Sequence, residues 1–315
     1  MESILAIAIL AHNEEKVIRR AIESALKQVP PPSLKIKIVV AANGCTDSTE
    51  AIVREYEKEY PGIVEMLSLR KKGKAAAINS FQEVLVKNET KERIRFVFFM
   101  DADCEFEQKN AVAEVVKGFE ENGNLCAIGA NCVPDVLYNS RGDVISRIYR
   151  AIAELDKSID KNFISGGGYC IRFDILQKML FPKVQLAEDL YVSAFLDGWF
   201  QRETDIKIIY GTPKTIGGEI RRRIRQEIAT NNFFSFYREM KAKGTWFCIY
   251  ENILGDKYRW RGDGNRKLIG KWCKLKGLEN KVMILLYLFI TFYAKFRGRH
   301  LAMREGKGDF WKTER

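Results

Sequence analysis

The order of apolar runs in the first hundred residues constrains this chain most. Ile4–Leu10 is an unbroken apolar stretch of strand length, the pattern of a parallel strand covered on both faces. Asn13 stands where it would cap a helix over 14–28, whose Val17, Ile18, Ala21, Ile22 and Ala25 share one stripe, and Pro30-Pro31-Pro32 stops it. Ile36–Ala41 predicts a second strand, Asp47–Tyr60 a second helix and Val64–Leu69 a third strand. Lys74–Val86 predicts a third helix, and Phe96–Met100 a fourth strand. This βαβαβαβ order implies an α/β fold, a Rossmann-like, mostly parallel, doubly wound sheet with right-handed crossovers. Ligands of such sheets bind beyond the carboxyl ends of the strands. With 46% hydrophobic residues and only 7 Pro, the chain can bury a large core, which excludes disordered and collagen-like classes.

Charge divides the chain. Residues 1–218 are nearly balanced, whereas 219–315 hold 23 Lys and Arg against 10 Asp and Glu, more than the whole excess of +11. The expected organisation is an electrically balanced body over 1–218 and a basic helical region over 219–315. Seven scattered Cys with no Cys-x-x-Cys argue for free thiols in a reducing compartment and against a zinc ribbon. His12 and His300 are the only histidines, too few for a histidine-built metal site or a Ser-His-Asp triad. Met1-Glu2-Ser3 leads into a strand without a basic segment, so the expectation is a cytoplasmic protein, placed peripherally on the inner face of a membrane if its basic end meets lipid.

Polar groups follow the strand ends: Ala11-His12-Asn13-Glu14-Glu15, then Asn43-Gly44-Cys45-Thr46-Asp47, then Asp101-Ala102-Asp103. Two carboxylates one residue apart at the mouth of a buried strand suit a hard cation, Mg²⁺ or Mn²⁺, that keeps waters and takes phosphate ligands. The same acids would also serve as loop or capping residues. Gly166-Gly167-Gly168 permits positive φ and close backbone approach, as the floor beneath a sugar requires, or forms a plain hairpin. Glu188-Asp189 opens a helical pattern, where acids also favour the positive end of the helix dipole.

Taken together, these segments resemble family 2 glycosyltransferases, which have the GT-A fold, use nucleotide-sugar donors and invert the anomeric centre. The matching residues include Gly73-Lys74-Ala75-Ala76-Ala77-Ile78-Asn79, Ser165-Gly166-Gly167-Gly168 with Arg172, and Ala187-Glu188-Asp189. The resemblance implies that Asp103 ligates the metal on the donor diphosphate, with Asp101 at the metal's waters or the ribose and Ala102 between them. It implies that His12, Asn13, Glu14 and Asn43 line the nucleoside pocket, with Lys74 near the nucleotide. Asp189 would be the general base and Glu188 would orient base or acceptor, while the three glycines face sugar and acceptor. Many relatives carry an acid before the Asn/Asp-Gly turn that reads uracil. Ala42 stands there, which leaves the donor base open.

Arg222 and Arg225 keep the cationic spacing that relatives place against donor diphosphate or acceptor phosphate, but Gln226 replaces the Trp of processive synthases. A non-processive hexosyltransferase is expected, with a hydroxyl or phosphate acceptor that is lipid-linked or a cell-surface glycan precursor. Val282–Ala294 is free of charge but extends only about 20 Å, short of a bilayer core of about 30 Å. It is either a core helix or a segment dipping into one leaflet. Lys257–Lys276 carries eight Lys and Arg with Tyr258, Trp260 and Trp272 among them. This composition makes 257–300 a candidate for peripheral membrane contact; no nucleic-acid motif accompanies it. Two other readings stand beside the transferase. One is a nucleotidyltransferase, which needs a glycine in its first loop that 11–15 lacks. The other is a non-catalytic membrane- or anion-binding module on a nucleotide fold.

Overall fold

The structure, a computed structural model, describes residues 3–70, 73–88, 93–155, 164–182, 187–196, 199–242 and 277–304. It forms two compact units. The first comprises Met1–Val133 and Phe163–Tyr210, the second Pro134–Asn162 and Gly211–Arg315. The second unit thus joins the C-terminal part of the chain to an excursion from its middle.

The first unit is built on an eight-stranded sheet of order β3-β2-β1-β4-β7-β6-β8-β5. Its parallel half comprises β1 (Ser3–Ala11), β2 (Leu34–Asn43), β3 (Val64–Leu69) and β4 (Arg93–Asp101). β1 is buried because it is the centre of this half, flanked by β2 and β4. Leu5, Ile7 and Ile9 lie on one face, Ala6 and Ala8 on the other, all with no exposure. Each of the larger side chains contributes about 1.5–3 kcal/mol by leaving water. The small alanine face admits α3 (Lys74–Asn88), which packs on β1 and β2. The opposite face is covered by α1 (Ile18–Leu26), α2 (Thr49–Glu59) and α4 (Ala111–Glu121), whose buried side chains join Leu5, Ile7 and Ile9 in one core.

Beyond β4 the sheet turns antiparallel. β7 (Gly168–Arg172) pairs with both β4 and β6 (Ala127–Pro134), and β5 (Cys104–Phe106) pairs with β8 (Phe200–Tyr210). The fold class is α/β as read, with a sheet that is parallel only in its first half. Aromatic packing across this boundary is dense: Phe99 lies 5.3 Å from Tyr169 and 5.8 Å from Phe81, centroid to centroid. Two short helices complete the unit, α6 (Phe173–Leu176) and α7 (Glu188–Leu196).

The first helix starts later than its periodicity predicts. Asn13 does not cap it. The residue adopts φ +57°, and Glu14 carbonyl accepts from the amides of Val17 and Ile18 in a turn that precedes the helix.

The second unit holds α5 (Val144–Leu155), α8 (Ile216–Ala242) and α9 (Leu278–Arg304). α9 packs on α8 and α5 through Met283, Ile284, Tyr287, Ile290 and Ala294, all buried. The uncharged stretch 282–294 is thus neither wholly core nor wholly surface but one helix with a buried side. Among the described residues no helix is long and apolar enough to cross a membrane. Tyr258, Trp260 and Trp272 lie outside the described residues.

Candidate active site

In the sheet order, the direction of strand addition reverses between β1 and β4, the place where an α/β sheet opens a crevice. Register aligns the ends that meet there, with Leu10 beside Asp101 and Ala11 beside Ala42.

On the β1–β2 side, two loops are stitched together. Thr46 N–H donates to Asn13 Oδ1 (2.7 Å), Glu14 N–H to Thr49 Oγ1 (2.8 Å), Glu15 N–H to Asp47 Oδ2 (3.2 Å) and Ser48 N–H to Glu15 Oε2 (3.1 Å). Gly44 takes φ +60°, a conformation that glycine reaches without strain. His12, buried, donates from Nδ1 to the Asn43 carbonyl at 2.6 Å, which fixes the ring tautomer. Asn43 is itself 4% exposed, and its Oδ1 accepts no hydrogen bond from the described residues. A buried acceptor left so costs free energy unless a donor arrives.

On the β4 side, charges converge from far apart in sequence. Lys74 Nζ, at the start of α3, lies 2.7 Å from Asp101 Oδ1 and also binds Glu188 Oε1 at the start of α7. The three side chains are 20%, 36% and 13% exposed. Burial alone would lower the Lys74 pKa, but the charges of Asp101 and Glu188 overcome it and hold the ammonium well above its ordinary value. Burial pushes the Asp101 carboxyl up, Asp103 and Glu188 add to that by repulsion, and Lys74 opposes them. Ala102, 2% exposed, donates its N–H to the Leu10 carbonyl at 3.2 Å, tying the acidic turn to β1.

The three glycines work by size. None takes the positive φ that their run allows. A Cβ on Gly166 would come within 2.6 Å of Glu188 Oε1, on Gly167 within 2.9 Å of Cys132 Sγ, and on Gly168 within 2.7 Å of Ile208 Cγ1. Asp189 follows Glu188 in the first turn of α7, with Oδ1 accepting the Leu190 N–H at 2.8 Å and the Asp189 carbonyl accepting from Ser193 Oγ at 2.7 Å.

Asp101 and Asp103 supply hard oxygen donors. Among the described residues no three Cys, His, Asp or Glu groups form a cage for a metal ion. Two carboxylates at a strand mouth, one already holding an ammonium, fit Mg²⁺ or Mn²⁺ that takes its remaining ligands from phosphate and water.

Arg222 and Arg225 belong to the other unit, on α8. Arg222 Nε binds Glu219 Oε2 at 3.1 Å and its guanidinium lies over Tyr149, while Arg223 Nε binds Glu219 Oε1 at 2.7 Å. Glu219 is 1% exposed, so this part of the arginine cluster neutralises a buried carboxylate.

Three supporting side chains have roles that the sequence alone does not show. Asn79 clamps the backbone of Phe181, donating to its carbonyl at 2.8 Å and accepting from its amide at 3.0 Å, and Gln82 donates to Met179 carbonyl at 3.0 Å. Asn79 ends the segment Gly73–Asn79, but nothing local in the sequence shows what it holds. Tyr169 is 1% exposed with a hydroxyl that has no hydrogen-bond partner among the described residues. Burial, and then Glu188, push its pKa upward.

A half-parallel sheet with its polar loops and a carboxylate–ammonium cluster at the switch point defines a doubly wound α/β protein with its candidate site at the strand ends. Residues 6–180 match Glycosyl transferase family 2, and the chain belongs to that family. It is similar to the minor teichoic acid biosynthesis protein GgaA of Bacillus subtilis (strain 168), 28% identical over 125 residues, which are 39% of this chain and 27% of that protein. The chain therefore matches about a quarter of that relative's length. Among solved structures it resembles the mannosyltransferase PcManGT from Pyrobaculum calidifontis, in complex with GDP-Man and Mn²⁺, with TM-score 0.62 and 15% identity over 98% of this chain and 88% of that one. TarS 1-349 of S. aureus aligns with TM-score 0.47 and 17% identity over 94% and 91% of the two chains. The fold is GT-A.

Proposed function

We propose that the protein transfers a hexose from a nucleoside-diphosphate sugar to a hydroxyl or phosphate acceptor, with inversion and without processive elongation. The convergence of Lys74, Asp101 and Glu188 beside Asp103, Asp189 and the Gly166 backbone carries this reading. The stitched loops of 12–15 and 43–49 form the nucleoside side, and the unsatisfied Asn43 Oδ1 takes a base or ribose N–H or O–H. Asp101 and Asp103 would hold Mg²⁺ or Mn²⁺, which when bound would supply neutralising charge for a departing diphosphate. Lys74 adds a fixed ammonium on the same side. Asp189, oriented by the Leu190 amide, takes the acceptor proton as the acceptor oxygen bonds to the anomeric carbon and the bond from that carbon to the diphosphate oxygen breaks. The narrow wall at Gly166 brings backbone close to the sugar. The acceptor is a lipid-linked or cell-surface glycan precursor, a reading to which the relative named for teichoic acid biosynthesis lends support.

The test is calorimetric titration with nucleoside diphosphates, with and without Mn²⁺, followed by donor hydrolysis across UDP- and GDP-sugars. Asp103→Asn is expected to remove the metal-dependent part of donor binding. Asp189→Asn is expected to bind donor normally and to lose transfer by about 10²-fold or more. Full turnover by Asp189→Asn would overturn the base assignment, and metal-independent, non-selective binding of every diphosphate would overturn the transferase.

A further inference from the structure

The side of α9 turned away from α8 and α5 is apolar. Leu278, Val282, Leu285, Phe289, Phe292 and Phe296 are between 47% and 79% exposed, and they recur at alternating spacings of four and three. That spacing keeps them on one helical face for about 27 Å of axis. Soluble surfaces scatter such side chains singly, and a continuous stripe marks an interface. Arg297 and Arg299, both exposed, sit about 80° to either side of Phe289 around the helix; Arg299 also pairs with Glu227, Nε to Oε1 at 3.5 Å, while 58% of its side chain stays open to solvent. α9 carries five Lys and Arg, at 281, 295, 297, 299 and 304, against the single acid Glu279.

We propose that this face is the docking surface for an anionic lipid bilayer, with α9 lying in the plane of the headgroups. Aromatic side chains at the boundary and arginines at the flanks are the composition of a helix that lies on a membrane. The phenylalanines would enter the acyl boundary while the arginines meet phosphate headgroups. A second copy of the chain is the competing occupant, because alternating four and three is also the spacing of a coiled-coil seam. The side chains favour lipid. A two-stranded seam prefers Leu, Ile and Val rather than three phenylalanines within eight residues, and it wants opposite charges at its edges where α9 offers an excess of like ones. This inference stands apart from the sugar-transfer reading, and its test uses no donor.

The full chain is sedimented with vesicles of phosphatidylcholine alone and of phosphatidylcholine with phosphatidylglycerol. We expect binding to the anionic vesicles, weakened by salt and by Arg297→Gln with Arg299→Gln. Phe289→Ser with Phe292→Ser should reduce the bound fraction by about tenfold or more without lowering the melting temperature, because both side chains already face water. Should that variant unfold, Phe289→Trp replaces it, and brominated lipid is expected to quench its fluorescence beyond the quenching seen with the unsubstituted protein. The proposal is overturned by absence of vesicle binding, by unchanged binding of the serine variant, or by no added quenching at Trp. It is equally overturned if light scattering shows a dimer that the serine variant disperses and no vesicle association.

Discussion

Replacing Gly166 by alanine separates the geometry of the candidate site from the stability of the fold. The new Cβ would stand 2.6 Å from Glu188 Oε1 and 3.6 Å from Asp189 Cβ. The backbone of β7 begins two residues on and is locked into the sheet, so the carboxylate has to retreat, by about half an ångström or more. Retreat pulls it from Lys74. A charge-assisted hydrogen bond contributes about 1.5–3 kcal/mol, and with both groups partly reached by solvent about 1–2 kcal/mol is at stake. Alanine stiffens the unfolded chain and returns about 0.4–1 kcal/mol, so the net loss of stability is about 1 kcal/mol. The chemistry is more exposed to such a shift, because a misplacement of about 1 Å in a group that orients the reactants costs as much as 10²-fold in rate. Gly166→Ala should therefore lose about 10- to 100-fold in kcat/KM for sugar transfer while its melting temperature falls by only a few degrees. Gly123→Ala, whose Cβ would meet nothing within 4 Å, is the control and should keep full rate. Wild-type turnover by Gly166→Ala would refute the close packing of Glu188 against this backbone as a requirement for catalysis.

Glu219→Ala should strip the shared partner from Arg222 and Arg223, at a cost of about 2 kcal/mol once their partial exposure is discounted, read as a melting temperature lower by several degrees. Phe98→Ala, from a side chain with no exposure in the centre of β4, should cost about 3–5 kcal/mol in chemical denaturation. Asp47 is raised by burial but lowered further by the Thr49 hydroxyl, the Thr49 amide and the Glu15 amide, ending below its ordinary 3.8. A carboxyl depressed in the folded state contributes stability that is fully present above 3.8 and drains as pH falls through the lower folded value. Melting curves of Asp47→Asn should accordingly fall less steeply than wild type across that acid window.

The parallel half of the sheet was legible because its strands announce themselves: 4–10 and 96–100 contain no polar residue, as burial on both faces demands. The antiparallel half was not. β5 is three residues long, and β6 includes Gly129, Asn131 and Pro134, so neither shows a period that a reader could follow. The start of α1 was misplaced for a different reason, since Asn13 resembles a cap until its side chain is seen holding Thr46, 33 residues away. At the site, residue types and order were readable, but partnership was not. Lys74 and Glu188 are separated by 114 positions, and each alone has the look of an ordinary solvated side chain. The steric role of Gly166–Gly168 was likewise half seen, because a run of glycine signals freedom of φ as readily as room for a neighbour.

The cross-bonding of the first two loops has an evolutionary corollary. Five hydrogen bonds link 13–15 to 46–49, so neither segment can move or be remodelled without dragging its counterpart. On the proposed reading, in which these loops form the nucleoside side, a change of nucleobase preference requires concerted replacement of both segments, and grafting one of them from a relative into this scaffold should yield a protein that binds no nucleotide well.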